Sequence, residues 1–160
     1  MINDDFADAV EHLNDLEKNL ESLNQNDLAL YYFCQGRILQ RVKLQMDEAI
    51  AAYEKSYELF CSLQYSEERL RTSNYLTTLL INQDQLSKAF SYLNEAYDDS
   101  IAFKASGVEK ISLLNNLGLA HAKKENFILR SAFETGTGYQ QQNIHLLSNR
   151  CYIHGAWLVL

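Results

Sequence analysis

The 160-residue chain contains no proline and only six glycines. A β-rich or loop-rich protein needs such turn residues at many positions, so their scarcity points away from both. Helices joined by short polar connections tolerate it. Cysteine is scarce too: Cys34, Cys61 and Cys151 form no CxxC pair and leave an odd count. That argues against a disulfide framework or a zinc site, and the three read as small buried apolar residues. Cations are outnumbered, 14 Lys and Arg against 21 Asp and Glu, for a net charge of −7. A phosphate backbone is bound through clustered cations, so nucleic acid is not expected as a partner. No apolar run approaches the ~20 residues of a membrane span. The acidic start, Met1 to Asp8, has no basic segment before an apolar one, as a secretory or transit peptide would. The chain therefore reads as cytoplasmic.

What is present is a repeat. Hydrophobic residues make up 47% of the chain, enough for one buried core. Ala9, Ala49 and Ala89 lie forty residues apart. One residue on stand Val10, Ile50 and Phe90; four on, Leu13, Tyr53 and Leu93. Phe6, Met46 and Leu86 precede the alanines by three, and Leu23, Leu63 and Phe103 follow by fourteen. These offsets fall on one face of a helix, so each segment reads as amphipathic with the same buried stripe. A second series alternates with the first at a spacing of forty-one: Phe33, Asn74, Asn115; Gly36, Thr77, Gly118; Leu39, Leu80, His121. Each unit is then two antiparallel helices, A and B. A small residue at Gly36, Thr77 or Gly118 lets the A backbone approach B, and an alanine at 49 or 89 does the same from the other side.

The expected layout, to within ~2–4 residues at each boundary, begins with a leading B-type helix over 3–24. It continues with A1 at 27–44, B1 at 46–63, A2 at 66–83, B2 at 85–104, A3 at 107–124, B3 at 126–141 and A4 at 146–160. Asp27, Ser66 and Asp84 are plausible caps. The whole of 1–160 is expected to form one solenoid, with units at 27–63, 66–104 and 107–141 and a half-unit at each end. Both ends thus read as cut mid-repeat.

The pattern resembles the tetratricopeptide repeat, W-x2-L-G-x2-Y followed by A-x3-F and a proline. Unit one gives Tyr32-x2-Gln35-Gly36-x2-Leu39, then Ala49-x3-Tyr53. Unit two gives Ser73-x2-Leu76-Thr77-x2-Leu80, then Ala89-x3-Leu93, and the third opens with Leu114-x2-Leu117-Gly118-x2-His121. In B3 either Arg130 takes the alanine position or the register slips to Ala132 and Phe133. Cys151-x2-His154-Gly155-x2-Leu158 is similar to the opening of a fourth unit. The family's usual period is about 34, so these helices are longer, and the closing proline is absent. Units of this length resemble those of kinesin light chains and of bacterial peptide-pheromone receptors. The resemblance implies an all-α fold, a right-handed superhelix of stacked antiparallel helix pairs, and a concave face that holds a protein or peptide.

No catalytic constellation stands out. His12, His121, His145 and His154 are scattered, without an HExxH or a carboxylate pair at ligand spacing, so no metal is expected. Gly136-Thr137-Gly138 lacks the Lys-Ser/Thr of a phosphate loop and reads as the end of B3. Neither a cofactor nor an enzymatic activity is expected. The face of the A helices that would line the concave side carries Leu30/Arg71/Ser112, Phe33/Asn74/Asn115, Arg37/Thr78/Leu119 and Arg41/Asn82/Lys123. Stacked Asn74 and Asn115 amides offer a donor and an acceptor each, which suits the backbone of an extended peptide. Arg37, Arg41, Arg71 and Lys123 would add positive charge for a carboxylate. Equally, all of these can be solvated residues on a polar face. Tyr32, Tyr53, Tyr57, Tyr75 and Tyr97 read as packing residues.

The expected function is a non-enzymatic peptide- or protein-binding module. The alternatives are the sensor half of a peptide-responsive bacterial regulator and a structural oligomerisation subunit. The final Ala156-Trp157-Leu158-Val159-Leu160 has no following B helix to cover it, so a homodimer through the C-terminal helix is expected.

Overall fold

A computed structural model describes residues 4–64, 66–102 and 107–134. They are helical, with no strand among them. Helix α1 (Asp4–Glu17) is followed by a 3-10 turn at Leu20–Ser22 and by α2 (Gln25–Ile38), which runs on as a π-helical turn, Leu39–Lys43. Then come α3 (Met46–Ser62), α4 (Ser66–Asn82), α5 (Leu86–Ala102) and α6 (Gly107–Glu134). The chain divides into two compact units, Met1–Leu117 and Gly118–Leu160, and the division falls inside α6. In the second unit the described residues continue that helix, with Ala120 buried and Leu119, Phe127 and Ile128 exposed. The expected A4, Cys151, His145, His154, the Gly136-Thr137-Gly138 run and the C-terminal dimer segment lie outside the described residues.

In the first unit consecutive helices pack as antiparallel pairs, α2 on α3, α3 on α4 and α4 on α5. Close approach within a pair comes from the small residues. A Cβ placed on Gly36 would stand 2.8 Å from the Tyr53 ring, so that ring lies against bare α2 backbone. Ala49, Ala89 and Thr77 are fully buried, and the Ser56 hydroxyl donates across the pair to the Ala29 carbonyl at 2.9 Å. Gly118 is different: no described residue stands within 4 Å of the Cβ it lacks.

The two sequence periods differ by one residue, and the structure shows where that residue goes. Ala49 lies thirteen positions after Gly36, but Ala89 only twelve after Thr77. At the end of α2 the ladder widens: the Leu44 and Gln45 N–H groups both donate to the Leu39 carbonyl. A π turn holds one residue more than an α turn, which absorbs the difference. At the end of α4 the chain instead closes tightly, Gln85 N–H to Leu80 O and Asp84 N–H to Ile81 O, with Asp84 left-handed at φ 58°. This is the Schellman pattern of a helix C-terminus. Asp84 therefore ends α4 rather than capping α5. Likewise the cap of α2 is Asn24, whose side chain accepts from the Asp27 N–H at 2.9 Å, and not Asp27 itself.

Neighbouring pairs join through like helices lying parallel, and their polar contacts repeatedly link residues 38 apart. Between α2 and α4, Phe33, Tyr53 and Tyr75 cluster with ring centroids 5.6–5.9 Å apart, and the Arg37 guanidinium sits 4.4 Å from the Tyr75 centroid. Between α3 and α5, the rings of Tyr57 and Tyr92 meet edge-on at 5.1 Å. Tyr57 donates to Glu95 at 2.8 Å and Tyr92 reciprocally to Glu54 at 3.3 Å, while Lys88 holds Glu54 at 2.5 Å. Burial, with a carboxylate beside each ring, pushes both phenols up, Tyr92 to about 12.

Three expectations need correction. α1 does not repeat the buried stripe of α3 and α5. Ala9 is exposed and Val10 and Leu13 are half-buried, because α1 packs chiefly on α2 instead of lying between two helices. Cys34 is exposed rather than buried. Finally, the turn expected near residue 125 between A3 and B3 is absent, since α6 runs unbroken to Glu134. Lys123-Lys124-Glu125 are good helix formers.

The two glycines should respond oppositely to alanine. Gly36→Ala must displace the Tyr53 ring and should lose ~1–3 kcal/mol of stability. Gly118→Ala relieves an unfavourable helical glycine and should gain ~0.5–1 kcal/mol. Chemical denaturation of the two variants checks the contrast.

The tyrosine seam should also give an alkaline limit. A raised phenol pKa means that the folded state keeps a proton the unfolded chain loses. The contribution is whole below pH ~10, the ordinary phenol value, and falls as pH rises towards 12. Melting temperatures measured from pH 9 to 12 should drop over that window, less steeply in Tyr92→Phe.

Candidate functional site

The cleft of interest lies between α4 and the first turns of α6, with a volume of about 360 Å³. From α4 it takes Arg71, Asn74, Tyr75 and Thr78, one helical face at spacings of three and four. From α6 it takes Val108, Glu109, Ser112, Asn115 and Asn116.

A polar network makes its floor. Asn116 is buried and its amide nitrogen donates to the Asn74 carbonyl at 3.0 Å and reaches the hydroxyls of Thr77 and Thr78 at 3.1 and 3.2 Å. Thr78 in turn donates to the Asn74 carbonyl at 2.7 Å. Asn74 is only 9% exposed, and its Nδ2 donates to the Glu109 carbonyl at 3.0 Å. Its Oδ1 is buried without a hydrogen-bond partner. An acceptor in that condition costs free energy unless something supplies a donor. At the rim, the Arg71 Nε pairs with Glu109 Oε1 at 3.5 Å while its side chain stays about half exposed.

Of the six residues expected to line a groove, the cleft gathers Arg71, Asn74 and Asn115. Arg37 is engaged elsewhere, on the ring and hydroxyl of Tyr75. Arg41 is exposed on the π turn, and Lys123 belongs to the second unit, where it is half-buried. The expected positive trough is therefore reduced at the cleft to one arginine, itself beside Glu109. The expected stack of Asn74 on Asn115 also needs correction. Because contacts run from a residue to one 38 further on rather than 41, Arg71 meets Glu109 and not Ser112. At these contacts α6 sits three residues, just under one turn, out of step with its equivalent α4. Asn74 consequently turns to Glu109 and Asn116, and Asn115 is left exposed.

Sequence reasoning missed Glu109 and Asn116. The signal for Asn116 was available: with Leu113 and Ala120 it occupies the i, i+3, i+7 stripe that faces the core. Asn115, one residue away, is rotated off that stripe. Among the described residues no three His, Cys, Asp or Glu side chains gather to hold a metal ion, and no helix is long and apolar enough to cross a membrane. The cleft has hydrogen-bonding groups and one ion pair, an arrangement that can hold a chain of amides. Comparison of the chain with protein-family models, curated proteins and solved structures gives no match.

The two asparagines should separate in stability measurements. Asn74→Ala removes a buried bridge to α6 and should destabilise by ~1–3 kcal/mol. Asn115→Ala changes an exposed residue and should stay within ~0.5 kcal/mol. Equal losses in thermal melts would contradict the burial difference between them.

Proposed function

We propose that the chain is a non-enzymatic binding module of the tetratricopeptide type, a right-handed superhelix of helix pairs. In this reading it holds an extended peptide or a segment of a partner protein in the cleft between α4 and α6. One observation carries it. The exposed Asn115 amide and the half-exposed Arg71 guanidinium stand at one opening, above the buried Asn74–Asn116 network. An extended main chain presents N–H and C=O groups at regular spacing. It can exchange hydrogen bonds with the Asn115 amide whatever its side chains are. Arg71 beside Glu109 leaves the cleft without a strong charge preference, so a main chain suits it better than an isolated carboxylate.

The test is an array of short random peptides probed with the wild-type protein, followed by titration of the best binder. Asn115→Ala should weaken that binder by ~0.5–1.5 kcal/mol, the worth of one hydrogen bond, with the melting temperature unchanged. An array that retains nothing would sink the proposal. So would binding indifferent to both Asn115→Ala and Arg71→Ala.

A further inference from the structure

The seam between α4 and α6 differs in kind from the other seams between like helices. Aromatic rings join α2 to α4 and α3 to α5. Between α4 and residues 107–117 the polar contacts include the Arg71–Glu109 ion pair and the hydrogen bonds of Asn74, Thr77, Thr78 and Asn116. In those turns of α6 Leu113 is the one large apolar side chain that is fully buried; Leu114 and Leu117 are half-buried, and Val108 and Ile111 are 71% and 60% exposed. Helix α4, by comparison, buries Leu70, Leu76, Leu79, Leu80 and Ile81. Apolar burial holds packed helices together, whereas a hydrogen bond across a seam largely replaces one with water. Here separation would even give the Asn74 Oδ1 the water partner it lacks while docked.

We infer that residues 107–117 of α6 undock from α4 as a unit while α2 to α5 remain packed. Local opening of this sort follows low apolar contact and a seam that water can satisfy. Five of the residues lining the cleft belong to α6, so the cleft exists only in the docked state. That docking governs capture of a ligand rests on the functional reading above; the undocking itself does not. An occupant of the cleft that touches both helices would bind the docked state alone and shift the population towards it.

Native-state hydrogen exchange on the ligand-free chain, followed by mass spectrometry, tests the undocking. Peptides covering 107–117 should exchange at least ~10-fold faster than those covering 70–81, as expected for opening at a free energy well below the global one. Asn116→Ala, which removes the centre of the network, should speed 107–117 by a further ~5- to 30-fold. Equal protection of α6 and α4 in the wild type overturns the inference. So does an Asn116→Ala variant in which the exchange of 107–117 is no faster than in the wild type. A negative peptide array leaves all of these outcomes untouched, so failure of the functional reading and failure of the undocking are separable.

Discussion

Two helices can lie at short range only where a side chain is missing from the contact, and the rest of the first unit depends on that condition. Gly36 leaves bare backbone for the Tyr53 ring. Once that ring is seated, its hydroxyl reaches Gln40 at 2.9 Å, and its face is presented to Tyr75 of the next pair, stacked at 17°. The same contact thus sets the spacing within a pair and the surface on which the following pair rests. Thr77 fills the corresponding place in α4 with a slightly larger side chain whose hydroxyl turns back to its own helix, to the Ser73 carbonyl at 2.7 Å. Beyond Gly118 the described chain does not turn back at all.

The seams built on this spacing grade from apolar to polar along the chain. Rings meet between the first two pairs, and carboxylates meet ring hydroxyls only at the edge of that contact. At the next seam asparagine and threonine take the interior. Polar side chains impose direction as well as proximity, because a donor must find an acceptor at a set angle. That gives the α4–α6 contact a defined register with little apolar area behind it, and it leaves the Asn74 Oδ1 buried there without a donor.

Much of this was legible from residue spacing. The alanines at 49 and 89 and the apolar positions around them marked α3 and α5, and all-helical structure followed from the periods and the absence of proline. Ala9 satisfied the same spacing but is exposed, because periodicity states which face is apolar and not what lies against it. The candidate site was legible only in part. Arg71, Asn74 and Asn115 lie at one cleft, yet the assumption that equivalent residues stand side by side ignored the one-turn offset between neighbouring helices. No pattern within a single helix carries that offset, since it arises when two cylinders of side chains settle into each other's grooves.

The widened turn at the end of α2 bears on how such an array can vary. One unit uses thirteen residues and the next twelve to travel between matching points of its two helices, yet both Ala49 and Ala89 arrive fully buried. The extra residue is taken up where the ladder opens to Leu39, before the return helix begins. Phase is therefore reset at each corner, and an insertion there does not propagate as a rotation of every later helix. A stack made this way can gain or lose single residues at its corners while its faces stay aligned, so unit length is free to drift without the array losing its line.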